Sequence, residues 1–182
     1  MASELLEHPE TADFLAFLGL KNVAKSTLGQ YRRVLRGFFS ALGPEATAPS
    51  QVTAAMLRKF VAGLQAGGLA EKTVNDRVLI LKRLFGFLAA EGYVASDPAI
   101  RLSAPKVGQR LPKAVSLDET RALFRALAGD GSPNGRRDRV LLNLLYGCGL
   151  RVNEAVGLRL ENLDLAQGYL PVIGKGNKER RV

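Results

Sequence analysis

Cysteine, histidine and tryptophan are almost missing from this sequence: one Cys148, one His8 and no tryptophan. A lone thiol cannot close an internal disulfide, so a reducing compartment is expected, by default the cytoplasm. No apolar run approaches the length that crosses a bilayer. The first ten residues carry Glu4, Glu7 and Glu10 and lack the basic stretch of a secretion signal. Internal repeats and low-complexity tracts are absent too.

What is present suits one or two soluble domains. The chain has 182 residues, 47% apolar and 24% charged, enough for a real core. Charge is distributed unevenly. Residues 1–20 hold four acids and no bases. Residues 21–104 hold twelve bases and five acids, a net of +7, and residues 105–182 fourteen bases and eight acids, a net of +6. A basic body behind a short acidic arm favours a polyanionic partner, with nucleic acid the leading candidate.

Helical periodicity fills the first hundred residues. A short apolar segment spans 10–19, around Phe14, Leu15, Phe17 and Leu18. Thr27 and Gln30 have capping-box spacing and are expected to open a helix bearing Leu28, Tyr31, Leu35, Phe38 and Leu42. Thr53 is placed to cap a third helix with Met56, Leu57, Phe60, Val61 and Leu64. The fourth runs from about Glu71 to Ala90, with the stripe Val74, Val78, Leu81, Phe85 and Leu88. Four helices with short connections predict a compact all-α unit over 1–101.

Residues 102–115 contain two prolines, three bases and no acids, and predict an extended basic linker. A second unit is expected over 116–182. Ser116 and Glu119 form another capping box. Residues 137–148 predict a helix whose core from Val140 to Leu145 is apolar nearly all round, the pattern of a helix buried inside its domain. Asn153 is placed to cap a short helix. The stretch from Gly168 to Val182 predicts strand, tight turn, strand, with Pro171 at an edge or bulge. The sequence stops within the second strand, the expectation for a truncated domain. The fold class expected is mainly α, followed by the first part of an α+β domain ending in a β-hairpin.

Two segments could carry chemistry. In Gly149-Leu150-Arg151-Val152-Asn153-Glu154-Ala155-Val156-Gly157-Leu158, a helix start favours an anion and Arg151 could add a bidentate guanidinium to the same phosphate. The same residues also allow Arg151 simply to pair with Glu154 on the surface. In Val172-Ile173-Gly174-Lys175-Gly176-Asn177-Lys178-Glu179-Arg180-Arg181, a tight turn raises lysines that could reach a DNA backbone, or stand as a solvated basic tip.

Together, in this order, the two segments resemble the tyrosine recombinase (phage-integrase) family, and within it the Xer type. Leu111-Pro112-Lys113 and Ser96-Asp97-Pro98-Ala99 add to the resemblance, which covers nearly the whole chain. It implies that the first unit is a four-helix, SAM-like core-binding domain and the second the opening part of a catalytic domain, closing around duplex DNA in a clamp. Arg151 matches the first catalytic arginine, which holds the scissile phosphate. Lys175 matches the hairpin lysine that protonates the departing 5′ oxygen. Glu154 matches an acidic position that orients the arginine's surroundings, Asn153 stands where Ser or Thr is frequent, and Lys178 and Arg180 are implied as supporting phosphate contacts. Strand exchange through a phosphotyrosine uses fixed cations and conserves bond energy, so neither metal nor other cofactor is implied.

The same resemblance puts the second and fourth helices in the major groove. Their polar faces offer Lys25, Thr27, Gln30, Arg32, Arg33 and Arg36, and Lys72, Thr73, Asn75, Asp76, Arg77, Lys82 and Arg83. Gln30 and Asn75 suit adenine edges, and arginines guanine. The second Arg box, the paired histidines and the tyrosine nucleophile are not found. Tyr31, Tyr93, Tyr146 and Tyr169 stand in other contexts. A DNA-binding chain without strand transfer, monomeric in solution and associated with the nucleoid, is therefore expected. A natural short regulator built on the same clamp is the alternative, and a helical protein-interaction module a third reading.

Overall fold

The computed structural model describes residues 6–43, 48–105, 108, 114–164, 167–174 and 179–182. The chain divides into two compact units, Met1–Arg110 and Leu111–Val182. No helix among the described residues is long and apolar enough to cross a membrane.

The first unit is built from α1 (Pro9–Leu20), α2 (Lys25–Leu42), α3 (Ala54–Ala66) and α4 (Glu71–Ala90), with a 3-10 turn over Pro49–Gln51. The apolar stripes meet in one core. Leu35, Phe38, Leu57, Val74, Val78, Leu81, Leu84, Phe85 and Leu88 are sealed from solvent. Phe38 is at its centre, edge-on to Phe60 at 5.0 Å and to Phe85 at 6.3 Å between ring centroids, the geometry that the aromatic quadrupole favours. Thr53 caps α3 as expected, its Oγ1 accepting the Met56 N–H at 3.3 Å.

Three features of this unit depart from the sequence pattern. Helix α2 begins two residues before Thr27, at Lys25, with Ala24 at the N-cap; the apolar stripe sets that start, and Thr27 falls inside the first turn. Glu10 is buried within the acidic arm, accepting from the Ser50 N–H at 2.7 Å and the Ser50 hydroxyl at 2.6 Å. It fastens α1 to the 3-10 turn. Leu102 is buried in the same core, and the Pro105 carbonyl accepts from Asn75 Nδ2 at 3.2 Å, so the chain stays packed on the unit beyond residue 101.

The second unit contains α5 (Leu117–Ala128), α6 (Pro133–Gly147), the single-turn α7 (Val152–Val156), a 3-10 turn (Leu160–Asn162), and strands β1 (Pro171–Ile173) and β2 (Glu179–Arg181). The Ser116–Glu119 capping box forms: Ser116 Oγ accepts the Glu119 N–H at 3.2 Å and the Glu119 carboxylate accepts the Ser116 N–H at 2.8 Å. The strands pair antiparallel, Pro171 with Arg181, Val172 with Arg180 and Ile173 with Glu179. In a two-stranded ribbon every strand is an edge, which leaves room for Pro171.

Leu150, Ala155 and Val172 form the small core of this unit, with Leu141, Leu144 and Leu145 packed partly against it. Helix α6 is not the buried helix its all-round apolar pattern predicts. Val140 and Tyr146 are each 58% exposed, and among the described residues of the helix only Gly135 is buried. Its inner face meets α5, α7 and the hairpin. Nothing in the described part of the unit covers the remainder.

Candidate nucleic-acid interface

The region around Arg151 is assembled by three elements of the second unit. Helix α6 ends at Gly147, and Gly149 takes a left-handed conformation, φ +61°. That turn lets the Leu150 N–H reach back to the Leu144 carbonyl at 3.2 Å. Leu150 is thereby buried and Arg151 emerges at the surface as the N-cap of α7. A side chain at position 149 would oppose this backbone, because L-residues rarely adopt that region.

Glu154 organises the charged groups around this helix start. Its Oε2 accepts the Arg151 backbone N–H at 2.8 Å, and its Oε1 accepts Arg151 NH1 at 3.0 Å. From the hairpin, Arg180 forks onto the same carboxylate, NH1 to Oε1 at 2.9 Å and NH2 to Oε2 at 2.8 Å. Strand register explains why this arginine reaches it. Arg180 is directly opposite Val172, which is buried, so both side chains lie on the inner face of the ribbon. Arg181 points the other way and stacks over the Tyr169 ring, 4.8 Å from its centroid.

This geometry sets the electrostatics. The Glu154 side chain is only 6% exposed and carries two guanidinium partners. The Arg180 fork first, and then the Arg151 N–H, hold its carboxyl well below the usual carboxylate range. Glu154 in turn raises the pKa of Arg180. Arg151 differs from Arg180 in exposure: its side chain is 69% exposed against 37%. One arginine is spent on structure; the other is anchored at one end and leaves most of its donors facing solvent.

Asn153 is exposed and lies inside α7, not at its N-cap as the sequence suggests; the N-cap is Arg151. Glu154, at the third position of the helix, returns its carboxylate to the Arg151 N–H at 2.8 Å and so fixes the helix start at Arg151. With only five residues, α7 also carries little aligned dipole, so attraction for an anion rests on the guanidinium. Lys175 and Lys178 lie outside the described residues.

In the first unit α2 and α4 pack side by side, joined at the surface by a hydrogen bond from Arg83 NH1 to the Tyr31 hydroxyl at 2.6 Å. On α2, Lys25, Gln30, Arg32, Arg33 and Arg36 are exposed, and Thr27 is half-buried. Lys25, Arg32 and Arg36 recur at seven- and four-residue steps and so share one face. On α4, Lys72 and Arg83 are exposed, Asn75, Asp76 and Lys82 half-buried, and all five share one face. Thr73 and Arg77 fall on its flank. Lys72 pairs with Asp76 at 3.5 Å, and Asn75 is held by Pro105.

Two residues of this surface escape the sequence pattern. Tyr31 sits on the apolar stripe, and its ring is buried beside Phe14 at 6.0 Å, yet its hydroxyl surfaces at Arg83. Leu79 lies in the middle of the polar face of α4 and is 53% exposed. Its signal was available: Leu79 is an apolar residue outside the stripe of Val74, Val78, Leu81, Phe85 and Leu88.

Comparison with known proteins bears on the family and the fold. Residues 12–92 match the family model described as Phage integrase, N-terminal SAM-like domain, and residues 113–182 match the one described as Phage integrase family. The chain is 39% identical over 173 residues to tyrosine recombinase XerC of Xanthomonas campestris pv. campestris (strain B100), covering 93% of this chain and 52% of the relative. It is 33% identical over 171 residues to tyrosine recombinase XerD of Listeria monocytogenes serovar 1/2a, covering 92% and 57%. The chain thus spans about half the length of the curated relatives it matches. Among solved structures, a lambda integrase (75–356) dimer bound to a COC' core site superposes with a TM-score of 0.75 at 19% identity, covering 96% of this chain and 61% of that one. The XerH site-specific recombinase bound to its difH substrate gives 0.61 at 18% identity, covering 100% and 58%. At these identities the likeness is one of fold: a SAM-like helical unit followed by the start of an integrase catalytic domain.

Proposed function

We propose, from the premise that this chain belongs to the phage integrase family of tyrosine recombinases and is of the Xer type, that it serves site-specific recombination by binding duplex DNA through a basic surface on each unit. Arg151 grips a non-bridging oxygen of the scissile phosphate. Negative charge gathers on that oxygen in the transition state, where a fixed guanidinium stabilises it. Lys175 is the general acid that gives its proton to the departing 5′ oxygen. Glu154 and Arg180 position Arg151, and Asn153 and Lys178 support the same phosphate. On the first unit, Lys25, Arg32, Arg33, Lys72 and Lys82 meet backbone phosphates, while Gln30 and Arg83 meet base edges. Thr27, Thr73, Asn75 and Arg77 flank that contact.

The observation that carries this reading is the unequal use of two arginines on one carboxylate. Glu154 is saturated by Arg180, and Arg151 is pinned yet largely exposed. None of the four tyrosines matches the family's nucleophile context, so binding without strand transfer is the proposed activity of these 182 residues alone. Further recombinase copies join on DNA in the whole protein, whereas this chain is a monomer in solution, acting in the cytoplasm at the nucleoid.

A nicked suicide duplex, incubated with the chain and resolved on native and denaturing gels, tests the proposal. A complex on the native gel with no covalent adduct on the denaturing gel is expected. A covalent adduct, or no complex at low salt, would contradict it.

A further inference from the structure

The face of α4 that carries Lys72, Asp76 and Arg83 is interrupted at its centre by Leu79, 53% exposed. A lone exposed leucine needs no explanation by itself. Its setting does. Gln30, Tyr31, Asp76, Leu79, Lys82 and Arg83 line one open depression between α2 and α4. Within it the Arg83 guanidinium is fixed by the Tyr31 hydroxyl at 2.6 Å, and the Tyr31 ring is immobilised in the core beside Phe14.

The chemistry of that depression is directional. Arg83 donates to Tyr31, so the hydroxyl oxygen accepts and its proton is left to donate elsewhere. Tethering one amino group of the guanidinium holds the plane of the fork while its other N–H groups remain available. An arginine fixed in this way loses little rotamer freedom when it binds a planar acceptor pair. Guanine O6 and N7 in the major groove are such a pair. Leu79 precedes Arg83 by one helical turn, about 6 Å along the axis. That is between one and two base-pair steps of about 3.4 Å. An apolar side chain at a base edge has one complementary group to meet in the major groove, the thymine 5-methyl.

Resting on the proposed duplex binding, we infer that Tyr31, Leu79 and Arg83 form a base-reading unit specific for a guanine with a thymine one or two steps away. Arg83 takes the guanine, Leu79 covers the thymine methyl, and Tyr31 is the positioning residue that aims Arg83. Phosphate contacts from the surrounding lysines and arginines supply affinity without sequence information. The Tyr31–Leu79–Arg83 set supplies the discrimination.

The test uses the full chain and a duplex enriched by it from a random pool. Each guanine of that duplex is replaced in turn by 7-deazaguanine, and each thymine by uracil, which lacks the methyl. Affinities are measured for the wild type and for Tyr31→Phe, Leu79→Ala and Arg83→Met. For the wild type, one guanine substitution weakens binding about 5- to 100-fold, and one uracil within two steps weakens it about fourfold. Arg83→Met, which keeps the aliphatic stem and has no donor, abolishes the guanine penalty, and Leu79→Ala the uracil penalty. Tyr31→Phe keeps its ring packing and its salt dependence, but shrinks the guanine penalty while leaving the uracil penalty in place. A merely structural Tyr31 would alter both penalties or neither. Selective wild-type binding with both penalties surviving in every variant would overturn this inference alone. Failure of the wild type to bind any duplex would overturn it together with the proposed function.

Discussion

Arg180 and Glu154, 26 positions apart in the chain, are joined by two parallel hydrogen bonds of 2.9 and 2.8 Å. The pair ties the hairpin to α7, and the same carboxylate holds the Arg151 N–H. Its contribution to folding depends on pH in a definite direction. The folded-state pKa of Glu154 is depressed, whereas an unfolded glutamate titrates near about 4.3. The stabilisation is therefore complete above about pH 4.3 and fades as pH falls toward the lower folded value. Glu154→Gln should unfold at lower urea than the wild type at pH 7, and the two midpoints should converge below about pH 4. Urea titrations followed by circular dichroism at pH 7, 4 and 3 measure this. A gap that stays constant across that range would contradict the assignment.

The two units should differ in their sensitivity to loss of apolar side chains. Phe38 is fully buried among Phe39, Phe60 and Phe85, so Phe38→Ala should cost about 3–5 kcal/mol. Leu123 on α5 is 50% exposed, and Leu123→Ala should change stability by about 0.5 kcal/mol or less. Equilibrium urea unfolding of each variant decides the matter; similar losses at the two sites would show that the burial pattern is wrong.

Helix capping gives a third comparison. Thr53 and Ser116 each accept a backbone N–H at a helix start, so Thr53→Ala and Ser116→Ala should each cost about 1 kcal/mol. Thr27 and Asn153 lie inside their helices. Their alanine variants should fall within about 0.5 kcal/mol of the wild type. Amide hydrogen exchange in the first turns of α2, α3, α5 and α7 would expose an error, most plainly if Thr27→Ala released the start of α2.

Much of this architecture is legible in the sequence. The stripe from Val74 to Leu88 fixes the inner face of α4, because 3.6-residue periodicity over about four turns has one solution. The cap at Thr53 and the capping box at Ser116 mark real helix starts, whereas the Thr27–Gln30 pair has the same box spacing and falls inside α2. Arg151 and Glu154 could be recognised by their spacing, and so could their ion pair. Arg180 is different: its place on Glu154 depends on hairpin register, and a slip of one residue would have sent Arg181 or Glu179 inward. The apolar pattern of α6 misleads because composition reports what a helix could bury, and not which of its faces meets a neighbour. Tyr31 belongs to both classes at once, a core ring by periodicity and a polar anchor only when α4 is laid beside it.

Arg151 is the residue on which the proposed function turns. Its most direct test is the affinity of wild-type chain and Arg151→Ala for one duplex, measured by fluorescence anisotropy from about 50 to 200 mM KCl, where log K falls linearly with log salt if phosphates dominate. A steep wild-type slope is expected, with a slope shallower by about 1 in the variant, the signature of one lost phosphate contact. Superimposable slopes, or a wild-type affinity indifferent to salt, would contradict a phosphate grip by Arg151.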